Sequence, residues 1–202
     1  MHLPVLSDTP LCHPNCCLSL STPLLETLKS ELYRNDVDNA GKPPVPPGLI
    51  LSVGCGSGLL ENLLHSHLTR GDPDVAEVLS VEGAEVATAA TTIMSYLPED
   101  RANTVPGTWA LCRRAEDATA LLFVYPRSVD LVKRYVDAFF ARDKARTIIW
   151  LGPQADWDVF RPALEGHNGP LPEAPLKVRE GSSCGVGEYE MMAVLQAPTP
   201  IP

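Results

Sequence analysis

Three glycines stand at alternate positions, Gly54, Gly56 and Gly58, directly after one apolar run and before another. Glycine has no Cβ, so it permits a sharp turn and lets the backbone approach a ligand closely. The spacing is not that of a P-loop, because no lysine follows the last glycine. It is also not G-x-G-x-x-G, whose third glycine would fall on Leu59 or Glu61. The loop therefore indicates a ligand site but disfavours a nicotinamide-dependent oxidoreductase.

Strands and helices are predicted to alternate from residue 49 onward. Several of the strands are almost continuously apolar, as expected when a parallel sheet is covered on both faces. We therefore expect an α/β fold with a doubly wound, mostly parallel seven-stranded sheet that ends in an antiparallel hairpin. The predicted strands are 49–53, 76–82, 103–111, 120–126, 147–152, 176–181 and 189–196, and the predicted helices are 58–70, 85–97, 128–142 and 155–165.

The N-terminal segment reads as an appendage to this domain. Residues 1–20 are rich in proline, cysteine and serine and predict an arm. A helix is predicted over 22–35, with Thr22 as its cap and Pro23 in its first turn. Clustered prolines then make a stiff connector. We expect the segment 1–47 to form arm, helix and connector, and 48–202 to form the doubly wound α/β domain.

Composition and charge limit the function classes. The chain has 202 residues, of which 45% are hydrophobic, and this suits one globular domain. Its net charge of -9 disfavours nucleic acid and anionic membranes as partners. No apolar run approaches membrane-spanning length and no basic leader precedes one, so we expect a cytoplasmic protein without a membrane partner. Its six cysteines are expected to be free thiols.

The segment "LSVGCGSGLLENLL" resembles the first motif of the Rossmann-like, class I S-adenosylmethionine-dependent methyltransferases. The resemblance covers about residues 48–195 by the order of the elements. It implies S-adenosylmethionine as the cofactor, with the glycine loop wrapped around its amino-acid part. The loop residues that would make these contacts are Gly54, Cys55, Gly56, Ser57 and Gly58.

The ends of the next two strands would hold the rest of the cofactor. The resemblance places Glu82, followed by Gly83, where the family has an acid that binds both ribose hydroxyls, and Glu85 is the alternative if the strand runs longer. A carboxylate suits a vicinal diol because it can accept two hydrogen bonds. Thr108 aligns with the position that contacts the adenine amine. Trp109 beside it would stack on adenine or lie in the core.

Two residues depart from the family pattern. The residue two positions before the first glycine is often acidic in the family and is Ser52 here. The adenine-side acid is replaced by Thr108. Both departures remove negative charge that would face the ammonium group or the adenine amine of the cofactor. They motivate the alternative that the fold has lost methyl transfer.

The fourth strand ends in Tyr125, Pro126 and Arg127, which the resemblance places at the rim facing the methyl group. Tyr125 is the candidate catalytic residue, through its hydroxyl or its ring face toward a cation; otherwise it only ends a buried strand. Arg127 would clamp a substrate carboxylate or lie solvated at a helix start. Trp157 is a further substrate candidate, or it packs the following helix.

The arm contains soft metal ligands, Cys12, His13, Cys16 and Cys17, within a short span. A structural zinc site normally pairs two ligand couples, and the second couple is missing, so no metal is expected. The arm is instead predicted to fold over the carboxyl edge of the sheet as a lid. In that role His13 would contact substrate and join Tyr125 as a candidate catalytic residue.

These observations predict a methyltransferase that acts on a small molecule or a peptide side chain. Methyl transfer from a sulfonium depends on alignment and desolvation, so it does not require a catalytic triad. The rival prediction belongs to another class. It is a methyltransferase-like fold without methyl transfer, which serves as a binding or scaffold protein or catalyses another reaction such as a cyclisation.

Overall fold

A seven-stranded sheet forms the centre of the computed structural model, which describes residues 2–33, 46–87, 94–140, 147–165 and 176–196. A separate two-stranded hairpin precedes it, formed by β1 (Leu11–His13) and β2 (Cys16–Leu20). The strands of the central sheet are β3 (Leu49–Val53), β4 (Ser80–Val86), β5 (Ala102–Val105), β6 (Ala118–Val124), β7 (Thr147–Pro153), β8 (Leu176–Glu180) and β9 (Glu190–Gln196).

The strand order in the central sheet is β5-β4-β3-β6-β7-β9-β8. The first five strands of this order are parallel, whereas β9 runs antiparallel to both β7 and β8. The order reverses between β3 and β6, and ligands of doubly wound sheets bind beside such a switch point. The predicted fold class, including the C-terminal antiparallel hairpin, is confirmed.

Two hydrophobic clusters cover the two faces of the sheet. Alternate residues of a strand point to opposite faces, so Leu51 of β3 joins one cluster and Ile50 joins the other. The helices are α1 (Thr22–Leu32), α2 (Leu59–Leu68), α3 (Pro73–Val78), α4 (Val129–Phe140) and α5 (Trp157–Glu165). The first cluster lies under α4 and α5, and the second lies under α1 and α2.

The N-terminal segment is packed into the second cluster. Leu18 and Leu20 of β2 are buried there together with the apolar face of α1. The cap of α1 is Ser21, one residue before the predicted Thr22, because the Ser21 hydroxyl accepts a hydrogen bond from the backbone N–H of Leu24. The hairpin was not predicted, since its two short strands carry no clear alternation.

Three predicted boundaries in the sheet were wrong. β4 begins at Ser80 and not at residue 76, because residues 76–78 belong to α3. β4 continues through Glu85 to Val86, because parallel pairing with β5 extends it past the predicted end. The helix predicted over 85–97 therefore does not begin at Glu85, and residues 88–93 lie outside the described residues. β5 ends at Val105, so the rest of the strand predicted over 103–111 is loop. Within the described ranges, no helix has the length and apolar character needed to cross a bilayer.

Gly185 is the contact point between α1 and the loop before β9. Its φ is +76°, and a Cβ there would lie 2.6 Å from the carbonyl carbon of Pro23 and 2.8 Å from Leu24 Cα. Because both obstacles are backbone atoms, the side chain of an alanine would force α1 away from the sheet.

We therefore expect Gly185→Ala to lower the free energy of unfolding by about 3 kcal/mol or more, from backbone strain and lost packing. Urea unfolding measures the change. Gly71→Ala is the matched control, because Gly71 has a φ of +80° but nothing within 4 Å of the added Cβ. The control should lose only about 1 kcal/mol for the left-handed backbone. Equal losses in the two variants would contradict the contact.

Candidate functional site

The glycine loop turns the chain from β3 into α2 at the carboxyl edge of the sheet. Gly54, Gly56 and Gly58 have φ values of +76°, +57° and +76°, a region that other residues rarely adopt. The backbone N–H of Gly54 donates to the carbonyl of Ala84 at 2.8 Å. The N–H of Gly56 donates to Oε2 of Glu85 at 3.0 Å. The loop is therefore tied to the end of β4.

A cavity of about 390 Å³, here named the edge cavity, opens beside this loop. It extends over the carboxyl ends of β5, β4, β3 and β6, which are four neighbours in the sheet. Its lining combines apolar side chains with an acid, a threonine, a serine, a cysteine, two tyrosines and an arginine. Among the residues that line it are Gly54, Gly56, Glu85, Val86, Val105, Thr108, Tyr125, Pro126 and Arg127.

A second cavity of about 270 Å³, here named the arm cavity, lies between the glycine loop and the N-terminal hairpin. The carbonyl of Asn15 accepts a hydrogen bond from the Ser57 hydroxyl at 2.5 Å, which fastens the hairpin to the loop. Cys17, Gly54, Gly56 and Val124 line both cavities, so the two are adjacent. The arm cavity is also lined by Asn15, Cys16, Cys55, Ser57 and Glu61.

Glu82, predicted as the ribose acid, lies inside the sheet rather than at its edge. Its carboxylate accepts hydrogen bonds from Arg114 at 2.6 and 2.9 Å and from Asn103 at 2.9 Å. Burial raises the pKa of Glu82, but the Arg114 and Asn103 hydrogen bonds outweigh it and leave the pKa below its usual value. Because β4 runs on to Val86, the alternative acid, Glu85, stands at the edge.

Tyr125 is held in an unusual backbone conformation at the end of β6. Its φ is +50°, the only positive φ of a non-glycine residue in the described part of the chain. Its N–H donates to the carbonyl of Leu151 at 2.7 Å, and its hydroxyl donates to Oε1 of Glu190 at 2.5 Å. Burial first, and then the Glu190 carboxylate, raise the pKa of Tyr125 well above its ordinary value. Strain of this kind persists where the surroundings over-determine it.

Glu190 is itself fixed by the backbone. It is buried, and it accepts hydrogen bonds from the N–H of Ser19 at 3.1 and 3.3 Å and from the N–H of Gly187 at 2.7 Å. Glu190 therefore joins β9 to the N-terminal hairpin and to Tyr125. Sequence reasoning did not select Glu190, because nothing local distinguishes it from other acids of the chain.

Ser52 faces α2 and not the edge cavity. It is fully buried, and its hydroxyl donates to Oε1 of Glu61 at 2.6 Å. Glu61 was not selected as a site residue, because its place on the apolar face of a helix is visible only in the tertiary structure. Burial is the largest effect on its carboxyl group and raises the pKa of Glu61 to about 7.

Several predicted site residues line neither cavity. Trp109 is 68% exposed, next to Thr108. Trp157 packs on Trp150, with ring centroids 5.3 Å apart. This agrees with the alternative in which Trp157 packs the helix and does not contact substrate. The His13 ring lies edge-on to another ring, that of Tyr96, and its Nδ1 accepts from the N–H of Asn15.

Two predicted glycines support the loop from below. A Cβ on Gly58 would lie 2.5 Å from Cγ of Leu97. A Cβ on Gly83 would overlap Sγ of Cys55. Both glycines therefore permit close packing beneath the loop, and neither lines the edge cavity or the arm cavity.

The cysteines of the site are free thiols. Burial raises the pKa of both Cys16 and Cys55. They are accordingly uncharged at neutral pH, which argues against a thiolate nucleophile. In the ranges that the structure describes, no three or more histidine, cysteine, aspartate or glutamate side chains are grouped to hold a metal ion.

Solved methyltransferase structures are similar to this chain. The plantazolicin methyltransferase BpumL in complex with SAH matches with a TM-score of 0.54 at 12% identity, over 88% of this chain and 86% of that one. The methyltransferase domain of bacterial CtHen1-C matches with a TM-score of 0.51 at 14% identity, over 87% and 95%. A candidate tRNA (m1A22) methyltransferase from Streptococcus pneumoniae, in complex with S-adenosyl-L-methionine, matches with a TM-score of 0.50 at 13% identity, over 88% of this chain and 73% of that one.

No protein-family model matches the sequence, and no curated protein matches it. At these identities the structural likeness shows the fold. The chain has the Rossmann-like fold of class I methyltransferases, as the glycine loop and the order of elements predicted.

Glu61 makes the stability of the fold depend on pH. Its pKa rises from 4.5 to about 7 on folding, so the folded state holds the proton more tightly than the unfolded state. The stability associated with this proton is fully present below about pH 4.5 and is lost as the pH rises through about 7.

We expect the free energy of unfolding of the wild type to fall by about 3 kcal/mol relative to Glu61→Gln between about pH 4.5 and 8. Urea unfolding of both proteins across this range measures the difference. Glu77→Gln, on the exposed surface of α3, is the control and should follow the wild type. Parallel pH profiles of wild type and Glu61→Gln would show that Glu61 titrates normally.

Proposed function

We propose that the chain is an S-adenosylmethionine-dependent methyltransferase that acts on a small molecule or a peptide side chain. The observation that carries this proposal is the edge cavity, where the glycine loop, Glu85, Thr108 and Tyr125 meet. These residues stand at the carboxyl ends of four neighbouring strands, beside the switch point of the sheet. The cofactor would supply a methyl group on a sulfonium, which an acceptor takes by in-line displacement.

Glu85 is the residue proposed to hold the ribose. In the present structure its Oε1 accepts from the N–H of Val86 at 2.8 Å and its Oε2 accepts from the N–H of Gly56 at 3.0 Å. A carboxylate has about four lone-pair sites, so capacity for two further hydrogen bonds remains. A vicinal diol in the edge cavity would use that capacity. This assignment replaces Glu82, whose carboxylate is held by Arg114 and Asn103.

In this proposal the adenine ring and the reactive methyl group of the cofactor occupy opposite ends of the edge cavity. Val86 and Val105 offer apolar surface to the adenine, and Thr108 offers a hydroxyl in place of an acid. Tyr125 lies at the other end. The hydroxyl proton of Tyr125 is donated to Glu190, so the phenol oxygen remains an acceptor toward the cavity.

Tyr125 would act in this proposal by position rather than as a base. Its raised pKa keeps the phenol protonated at neutral pH, so it does not take a proton from the acceptor. A neutral amine acceptor would instead donate an N–H to the phenol oxygen, which would align the lone pair of the amine with the methyl group. The C–S bond of the sulfonium would break to release the thioether, and the methylated nitrogen would keep its proton as an ammonium group. Arg127, in the same cavity, suits a carboxylate on the acceptor.

The proposed acceptor class rests on charge. The net charge of -9 opposes binding of a phosphate backbone. The similar structures include a tRNA enzyme and a plantazolicin enzyme, so the fold by itself serves acceptors of different classes. A cytoplasmic location is part of the proposal, because the six thiols are free.

The second candidate is a binding or scaffold protein with this fold, or an enzyme for another reaction such as a cyclisation. It is favoured by Ser52 and Thr108, which stand where the methyltransferase pattern has acids. The two candidates differ in whether S-adenosylmethionine binds.

Isothermal titration with S-adenosylmethionine, and separately with S-adenosylhomocysteine, tests the proposal. We expect binding of both at micromolar concentration, which corresponds to about -8 kcal/mol. No detectable binding of either ligand would overturn the proposal and favour the second candidate.

Glu85→Gln should lower the affinity for S-adenosylhomocysteine about 10-fold to 100-fold, because hydrogen bonds to a charged group are worth about 1.5–3 kcal/mol. The change keeps the shape of the side chain, but only one atom of the amide can accept, so one of the hydrogen bonds from the N–H groups of Val86 and Gly56 is lost. Urea unfolding of the variant checks that the fold is retained. Glu77→Gln on the surface of α3 is the matched control and should bind like the wild type. An unchanged affinity in Glu85→Gln would remove Glu85 from the site.

A further inference from the structure

Glu61 is an acid with an incomplete set of partners inside the arm cavity. It is the third residue of α2, it is 1% exposed, and it lines the cavity beneath the glycine loop. Its Oε1 accepts the Ser52 hydroxyl at 2.6 Å. Its Oε2 is buried and has no hydrogen-bond partner among the described residues. A buried carboxylate oxygen without a partner is costly, and such groups are rare in folded proteins.

The charges around Glu61 supply no compensation. Among the described residues, no lysine, arginine or histidine lines the arm cavity. The acid that acts on Glu61 is Glu85, and the thiols of Cys16 and Cys55 face it across the cavity as neutral groups. A positive group would therefore have to come from a ligand.

We propose that Glu61, oriented by the Ser52 hydroxyl, binds the positively charged amino group on the amino-acid part of the cofactor. This inference rests on the proposed function and adds a residue to it. The arm cavity adjoins the edge cavity through Gly54 and Gly56, so one ligand can extend from Tyr125 past the glycine loop to Glu61. Ser52 is then a positioning residue and does not touch the ligand.

The hydrogen bond from Ser52 also fixes which way the carboxylate faces. It occupies Oε1 and leaves Oε2 for the amine, which brings up to three N–H donors. The arm residues Asn15, Cys16 and Cys17 line the same cavity, and Glu61 itself is buried, so the pair would form in surroundings less polar than water. A charge-assisted hydrogen bond is stronger in such surroundings than at the surface.

Binding of the amine should be linked to the loss of a proton from Glu61. The carboxyl of the empty site titrates near pH 7, and a cation beside it favours the ionised form. Affinity for an amine-bearing ligand should therefore rise as the pH rises from about 5.5 to about 7.5, below the range in which an α-amino group begins to lose its own proton.

The test compares S-adenosylhomocysteine with its des-amino analogue, which keeps the carboxylate and lacks the amine. Wild type should bind the parent ligand about tenfold or more tightly than the analogue, as expected for one charge-assisted hydrogen bond. In Glu61→Gln the two ligands should bind within about threefold of each other, because the amine has lost its anionic partner. In Ser52→Ala the preference for the parent ligand should lie between those of wild type and Glu61→Gln. Glu77→Gln should keep the wild-type preference.

The wild-type protein alone provides a second measurement. Its preference for S-adenosylhomocysteine over the des-amino analogue should grow as the pH rises from about 5.5 to about 7.5. This readout does not depend on the stability of any variant.

The outcomes separate the two proposals. If neither ligand binds wild type, the proposed function and this inference both fail. If the parent ligand binds but Glu61→Gln keeps the full preference, or the wild-type preference does not change with pH, the inference alone is overturned.

Discussion

The glycine loop between β3 and α2 is the constraint on which the site depends. Its three left-handed glycines reverse the chain within five residues, and the Gly54 and Gly56 amides tie it to β4. That attachment sets where α2 begins, so it also sets where Glu61 lies. It leaves room above the loop for the edge cavity and room beside it for the arm cavity. A Cβ at Gly58 would push against Leu97, so packing beneath the loop fixes the same geometry.

Four buried acids show how this fold distributes charge. Glu31 pairs with Lys177 and Arg179, and Glu82 pairs with Arg114, so both are neutralised by cations. Glu190 is held by two backbone amides and by the Tyr125 hydroxyl. Glu61 has one hydroxyl as its partner. The three acids with full sets of partners tie elements together, while the least satisfied one lies in a cavity. Groups with perturbed pKa values concentrate at functional sites, and Glu61 combines such a pKa with a carboxylate oxygen that has no partner in the described ranges.

The accuracy of the sequence predictions followed the range of the interactions involved. β3, α2, α4 and β7 lie close to their predicted bounds because their apolar periodicity is a local property. The predicted end of β4 was wrong because pairing with β5, and not local propensity, decides where the strand ends. The hairpin of β1 and β2 was missed for the same reason, since its buried residues Leu18 and Leu20 pack in a cluster that includes residues far along the chain, from α2 and β9.

The sequence by itself determined the fold class, the glycine loop and the presence of acids near the second strand, because periodicity and glycine spacing act over a few residues. The tertiary structure decided which acid faces the cavity. Glu82 and Glu85 differ by an odd number of positions, so they point to opposite faces of β4, and the strand end selects between them. The tertiary structure also brings Ser52 to Glu61, and Tyr125 to Glu190 across 65 positions of the chain. Such pairs arise only when packing of distant segments brings their side chains together, and no local pattern records them.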